Sequence, residues 1–286
     1  LIGIGLGVKS FQQCAIWKDS LTMWGHVIKH APNMTFAYIS RGTYYDEQSK
    51  YDLALKDYSQ AIALLPGYVK TYIRRGILHG RMGKYDLAIQ DFTWVIDRRP
   101  DDWNAYSNRG NVYKLKKQYP LAIADYDQAI RLNPASEISL ENRGACYFEL
   151  GAWDQAIENF NQSLRINPRS VNSYIFRGLV YSKSRQYALA LEDFNKALLL
   201  KPNFAKTLFH RAMVHQESGN LDQAVEDYTQ ALQQMPEADF VYIGRGVVYG
   251  MKKEYASALK DFNEAIIHNP QNPAAYQSRA IVYRIL

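Results

Sequence analysis

Residues 69–102 read VKTYIRRGILHGRMGKYDLAIQDFTWVIDRRPDD. Tyr72, Arg75, Gly76 and His79 fall three and four residues apart, so they share one face of a helix. Ala88, Phe92, Val95 and Ile96 share the face of a second. Pro100 then closes the stretch, because proline has no N–H to give to a helix and its ring clashes with the preceding turn. The segment reads as a helix, a short turn and an antiparallel helix. Its punctuation recurs in both directions. Gly42, Gly76, Gly110, Gly144, Gly178 and Gly246 stand 34 residues apart, or twice 34 where Ala212 takes the slot, and Ala280 fills the next. Ala54, Ala88, Ala122, Ala156, Ala190, Ala224 and Ala258 keep the same step. So do Pro32, Pro66, Pro100, Pro134, Pro168, Pro202, Pro236 and Pro270. Three interleaved series at one period make the chain an array of one repeated unit.

With residue 35 as position one, the small residue at position eight and the alanine at position 20 let two helices approach closely. Position 24 is aromatic throughout: Tyr58, Phe92, Tyr126, Phe160, Phe194, Tyr228 and Phe262. Twenty of the 22 tyrosines fall at positions 4, 11, 17 or 24, which are packing positions. Few remain for stacking on nucleic acid, so no nucleic-acid partner is expected.

These residues resemble the tetratricopeptide repeat family. Its pattern has an aromatic at four, Gly at eight, Tyr at eleven, Ala at 20, an aromatic at 24 and Pro at 32. The match runs from about Trp17 to the end. The resemblance implies an all-α solenoid of antiparallel helix hairpins, wound as a right-handed superhelix, with a concave groove lined by the first helices. It implies protein–protein interaction and no particular partner.

The composition agrees with a packed fold. The chain has 286 residues, 47% of them apolar, so enough apolar surface is available to exclude a disordered chain. A net charge of +6 permits an acidic partner without requiring one. Two cysteines, Cys14 and Cys146, exclude a disulfide scaffold and a cysteine-rich zinc site.

The repeat frame divides the chain into four segments. Residues 17–34 form half a repeat, with Trp17, Leu21, Trp24, Val27, Ile28 and Pro32 at second-helix positions. Residues 35–272 form seven repeats of 34 residues. Residues 273–286 form one further first helix, with Ile281, Val282, Ile285 and Leu286 expected to lack partners. A solenoid normally closes with a polar cap. The expectation is a fragment of a longer protein, or self-association through uncapped ends. Residues 1–16 begin with the apolar run Leu1–Val8, followed by Lys9. Eight residues are too few to span a bilayer, which needs roughly 20. The run reads either as the last turns of a transmembrane helix or as an apolar leader. In the first case this flank resembles the junction in tetratricopeptide-bearing membrane glycosyltransferases. The repeats would then be a non-catalytic arm recruiting acceptor or partner proteins, tethered on one side of a membrane. Otherwise a cytoplasmic scaffold is expected. The same residues make no phosphate loop, because Val8 separates Gly7 from Lys9.

Position seven departs from the family pattern. It is Arg in all eight copies: Arg41, Arg75, Arg109, Arg143, Arg177, Arg211, Arg245 and Arg279. One reading is a cationic stripe for a polyanion. The other pairs each Arg with position 23, which holds Asp57, Asp91, Asp125, Asn159, Asp193, Asp227 and Asp261. An Arg fork fits such a carboxylate bidentately, which favours pairing. Breaking a buried pair costs roughly 3–5 kcal/mol.

No catalytic motif and no cofactor site is legible. His26 and His30 lie four residues apart on a predicted helix, but no third metal ligand is suggested. His79 and Cys146 read as core residues. In this fold, first-helix positions 2, 5, 6, 9, 12 and 13 tend to face the groove. They give Lys70, Arg74 and Arg81 early, then Asn104, Ser107, Asn108, Asn111 and Asn142, then Ile175, Phe176, Leu179, Phe209, His210, Met213, Phe240, Ile243 and Val247. The wall passes from basic through amide-rich to apolar. Asn offers a donor and an acceptor to an extended backbone. Asn108 and Asn142 resemble the asparagine ladder of O-GlcNAc transferases, though Arg74, Phe176 and His210 interrupt it. The carboxylate clamp with which some family members hold chaperone C-termini is not reproduced. The expected site is a groove for an extended or helical polypeptide, comprising Arg74, Asn104, Asn108, Asn111, Asn142, Phe176, Phe209, His210 and Met213.

Overall fold

A computed structural model describes residues 20–286. The readings placed on residues 1–16 and on Trp17 lie outside the described residues. Among those described there are sixteen α-helices and no strand. No described helix is long and apolar enough to cross a membrane. The helices are α1 (Ser20–His30), α2 (Thr35–Glu47), α3 (Tyr51–Leu64), α4 (Val69–Arg81), α5 (Tyr85–Arg98), α6 (Trp103–Leu115), α7 (Tyr119–Leu132), α8 (Glu137–Glu149), α9 (Trp153–Ile166), α10 (Val171–Lys183), α11 (Tyr187–Leu200), α12 (Ala205–Glu217), α13 (Leu221–Gln234), α14 (Asp239–Met251), α15 (Tyr255–His268) and α16 (Pro273–Ile285). Each even-numbered helix from α2 to α14 pairs with the odd-numbered helix after it. The helices fall into two compact units, one ending at Pro134 and one beginning at Ala135.

Within each unit the repeat positions build the core. The seven position-20 alanines are fully buried, and the position-24 rings are at most 1% exposed. Glycine at position eight brings the first helix's backbone against the position-24 ring, a slot that Ala212 also fills in one repeat. A Cβ on Gly178 would sit 2.9 Å from Phe194, and one on Gly110 2.9 Å from Tyr126. Val282 is buried against Ala258 and Phe262, so the expectation that it lacks partners fails. Ile281, Ile285 and Leu286 are exposed. Ile175, expected on the groove wall, is buried with Ala190 and Phe194.

Each first helix from α2 to α14 ends in a left-handed residue at position 15. Three are glycines, Gly83, Gly151 and Gly219. Four are not: Ser49, Lys117, Arg185 and Lys253, with φ from 57° to 64°. The amide after each donates back to the carbonyl of position 11, as in Lys84 to His79 (2.9 Å) and Gln186 to Tyr181 (2.8 Å). This is the Schellman closure, in which a left-handed residue lets the chain satisfy the last carbonyls and turn into the next helix.

The arginines at position seven make two kinds of contact. Forward by 16 residues, Arg177 gives Nε and Nη2 to Asp193 at 2.8 and 2.6 Å. Arg109 grips Asp125 at 2.8 Å through both nitrogens, and Arg245 grips Asp261 likewise. Arg41, Arg75 and Arg211 form the same fork. Arg143 gives Nε to the Oδ1 of Asn159 at 2.7 Å. Backward by 16 residues, Nη1 reaches the preceding second helix. Arg109 meets Thr93 at 3.0 Å, Arg177 meets Asn161 at 2.5 Å, Arg211 meets Asn195 at 2.6 Å and Arg245 meets Thr229 at 2.9 Å. The Arg177 and Asp193 side chains are 20% and 4% exposed, so the pair is largely withdrawn from water. Hydrogen bonding to Asp193 raises the Arg177 pKa against the opposing effect of burial. The position-seven arginines are thus staples, and the cationic-stripe reading falls away.

Two stability tests follow from these contacts. Arg177→Ala leaves the Asp193 carboxylate buried without its fork and should cost about 3 kcal/mol. The loss should appear as faster amide exchange in α10 and α11, with Arg177→Lys intermediate because it keeps the charge and loses the fork. Lys253→Gly should raise stability by about 0.5–1 kcal/mol in urea denaturation, because it removes a Cβ from a left-handed backbone.

Candidate functional site

Position six of each first helix is not covered by its own repeat. Within each unit it stands over the position-24 ring of the repeat before. Arg74 is exposed; burial raises the pKa of nearby Tyr58, and the positive charge of Arg74 opposes that rise in part. Phe176 stacks on Phe160 at 5.8 Å and 9°. His210 lies over Phe194 at 6.3 Å and 19°. The residue at this position therefore sets the local chemistry of the first-helix face.

In the first unit that face is polar. Lys70, Ile73 and Asn104 line a cavity of about 320 Å³ with Arg99 and Asp102. Asn108 donates its amide to the Asn104 carbonyl at 2.8 Å. Asn111 accepts from the Tyr126 hydroxyl at 2.7 Å. Arg81, expected on the basic part of the wall, is exposed and pairs with Asp46 at 2.8 Å. Arg74, Asn104, Asn108 and Asn111 all lie on α4 and α6 of this unit, whereas Asn142 lies half-buried on α8 of the second.

The second unit brings the apolar candidates together. Phe148, Leu179, Phe209, His210 and Met213 line a cavity of about 780 Å³, edged by Lys183, Arg185 and Glu217. A second cavity of about 220 Å³ shares Phe209, Met213 and Glu217 and adds Tyr228, Phe240, Ile243, Gly244 and Val247. Phe209 meets Phe240 edge to face at 4.9 Å. Met213 and Phe240 are 37% and 45% exposed, so this apolar surface faces solvent. Phe176 packs on the Phe160 cluster beside it. Burial lowers the His210 pKa, and the nearby charges of Lys206 and Lys183 lower it further, so its ring is neutral at neutral pH.

Phe148, Lys183, Arg185, Glu217 and Gly244 are among the residues of this site that the sequence reading did not single out. Gly244 occupies position six, where the other copies carry a side chain. A Cβ there would lie 2.8 Å from Cζ of Tyr228 and 2.9 Å from its hydroxyl. Gly244 thus lets the Tyr228 ring pack directly against the α14 backbone, and both residues line the smaller cavity. Two glycines in close succession, Gly244 and Gly246, were the available signal, and the period-34 series selected only the second.

Among the described residues, no group of three or more His, Cys, Asp or Glu could hold a metal ion. The His26 and His30 rings pack against each other at 4.3 Å. Cys146 is buried.

Comparison with known proteins agrees with this architecture. Tetratricopeptide repeat models match residues 69–102, 103–136, 138–170, 171–204 and 205–238. No curated protein sequence matches the chain. Among solved structures the chain is similar to YrrB, described as a tetratricopeptide repeat protein with an unusual peptide-binding site. The two are 25% identical with a TM-score of 0.55, over 66% of this chain and 97% of that one. It is also similar in fold to the Cut9–Hcn1 hetero-tetramer of APC/C, at 18% identity and a TM-score of 0.70, over 92% of this chain and 52% of that one. A tetratricopeptide repeat protein from Parabacteroides merdae gives 18% identity and a TM-score of 0.67, over 87% of this chain and 98% of that one. With its repeats matched over more than half its length, the chain belongs to the tetratricopeptide repeat family.

Proposed function

We propose that the chain is a non-catalytic interaction scaffold and that the first-helix face of its second unit binds a polypeptide. The carrying observation is the open apolar depression around Phe209 and Met213, about 780 Å³ in volume and continuous with exposed Phe240. Members of this family serve as protein-binding scaffolds, and the peptide-binding description of YrrB supports the same use here. A contiguous exposed apolar surface rimmed by charge is a common mark of such a site. Phe209, His210 and Met213 line it, and Phe176, stacked on Phe160, is proposed as a further apolar contact on the same unit. On the same unit, Asn142 is proposed as a group that meets a peptide backbone; on the first unit, taken by itself, Arg74, Asn104, Asn108 and Asn111 are proposed as a polar peptide-contacting face.

The test is panning a random dodecapeptide library on the intact chain. Enriched peptides should carry bulky apolar residues. They should bind a Met213→Ala, Phe240→Ala double variant at least about tenfold more weakly, or ~1.4 kcal/mol in binding free energy. Both side chains are exposed, so helicity and melting should change little. Undiminished binding to the double variant would refute the site.

A further inference from the structure

The depression is chemically lopsided. Lys183 and Arg185, at the end of α10, stand on its rim. Lys206, at the start of α12, is near enough to His210 for its charge, like that of Lys183, to lower the His210 pKa beyond the effect of burial. All three cations are exposed, and among the described residues none of them is in an ion pair. Of the charged groups that line the depression, Lys183 and Arg185 are cations and Glu217 is the one carboxylate, which leaves one positive charge uncompensated there (two cations less one anion). This contrasts with the position-seven arginines, whose charge is taken up inside the fold. On the other side of Phe209 and Met213 lies the notch over Tyr228, about 220 Å³ and walled by Phe240, Ile243 and Val247. Tyr228 and Gly244, which pack directly against each other, also line it.

We propose that this face selects a peptide with two features: a bulky apolar side chain that enters the Gly244 notch, and an internal Asp or Glu that meets Lys183, Arg185 and Lys206. The inference rests on the groove reading above and adds the partner's chemistry. An apolar ligand alone would leave the cationic rim unanswered, while an acidic ligand alone would leave Phe209, Met213 and Phe240 in water. Both requirements are met by one segment lying across α12, because the two cavities share Phe209 and Met213. The carboxylate is assigned to a side chain because the cations sit beside a depression open to solvent, which a chain can cross without ending there.

The experiment uses a dodecapeptide library displayed with its C-terminus fused to the phage coat, so that no free terminal carboxylate is offered. Enrichment should favour Asp or Glu together with Trp, Phe, Leu or Met. A Lys183→Glu, Lys206→Glu variant should bind the leading peptide at least about tenfold more weakly at low salt. Raising salt from about 50 to about 300 mM should weaken wild-type binding and leave the charge-reversed variant nearly unchanged. Replacing the peptide's apolar anchor by Ala should weaken its binding to the wild-type chain at least about tenfold. Enrichment of acid-free apolar peptides, or indifference to charge reversal, overturns the proposal and leaves the groove standing. Enrichment no better than on the Met213→Ala, Phe240→Ala variant overturns the groove reading as well.

Discussion

The guanidinium at position seven ties three helices together. Arg177 holds Asp193 on the second helix of its own repeat and Asn161 on the second helix of the repeat before. Both contacts span 16 residues, one forward and one back. A repeat can therefore neither slide along its neighbour nor rotate against it without breaking a planar, directional bond. A buried ion pair is weak evidence of net stability, because desolvating two charges offsets much of their attraction. Its value in this fold is register. Apolar packing at Ala190 or Phe194 would tolerate small displacements, whereas a two-toothed fork on a fixed carboxylate does not. Asn159 shows what the geometry tolerates. It accepts from Arg143 at 2.7 Å and turns its own amide to the Gln155 carbonyl at 2.7 Å, so the slot demands an acceptor on the arginine side more than a charge.

That register is what makes the first-helix face programmable. Once neighbouring repeats are locked, position six of each falls over the previous aromatic ring. Its identity can then vary without disturbing the core. Arg74 places a positive charge near a tyrosine, Phe176 stacks on a phenylalanine, His210 lies over another, and Gly244 lets its tyrosine pack against the backbone. The rings beneath are at most 1% exposed in all these repeats, so each is buried whichever residue stands above it.

The fold was legible because its determinants recur. Small residues at positions eight and 20, aromatics at 24 and proline at 32 each answer a steric need that returns every 34 residues. The arginine–aspartate fork was legible for the same reason, since both partners keep one identity. The backward contact was not. Its acceptors are Ser59, Thr93, Asn161, Asn195, Thr229 and Asn263, a set alike in hydrogen bonding but not in residue type. The left-handed position 15 was hidden in the same way, because Ser49, Lys117, Arg185 and Lys253 adopt a backbone that only glycine announces. The groove candidates were half legible. Phe209, His210 and Met213 do meet, but Ile175 turns inward and Arg81 is paired with Asp46.

Gly244 marks the boundary between what repetition reveals and what it conceals. A periodic sequence identifies residues by their agreement with one another, so it finds the scaffold first. A binding surface on such a scaffold consists of departures from the period, each meaningful only beside its neighbours in space. Gly244 is one such departure, and it matters because Tyr228 lies beneath it and Phe240 and Phe209 stand at its side. The lysines at 183 and 206 are another, since 23 residues separate them in the chain while both act on one imidazole. The constant arginine therefore accounts for the fold, and the residues that break the pattern above it account for what the fold can recognise.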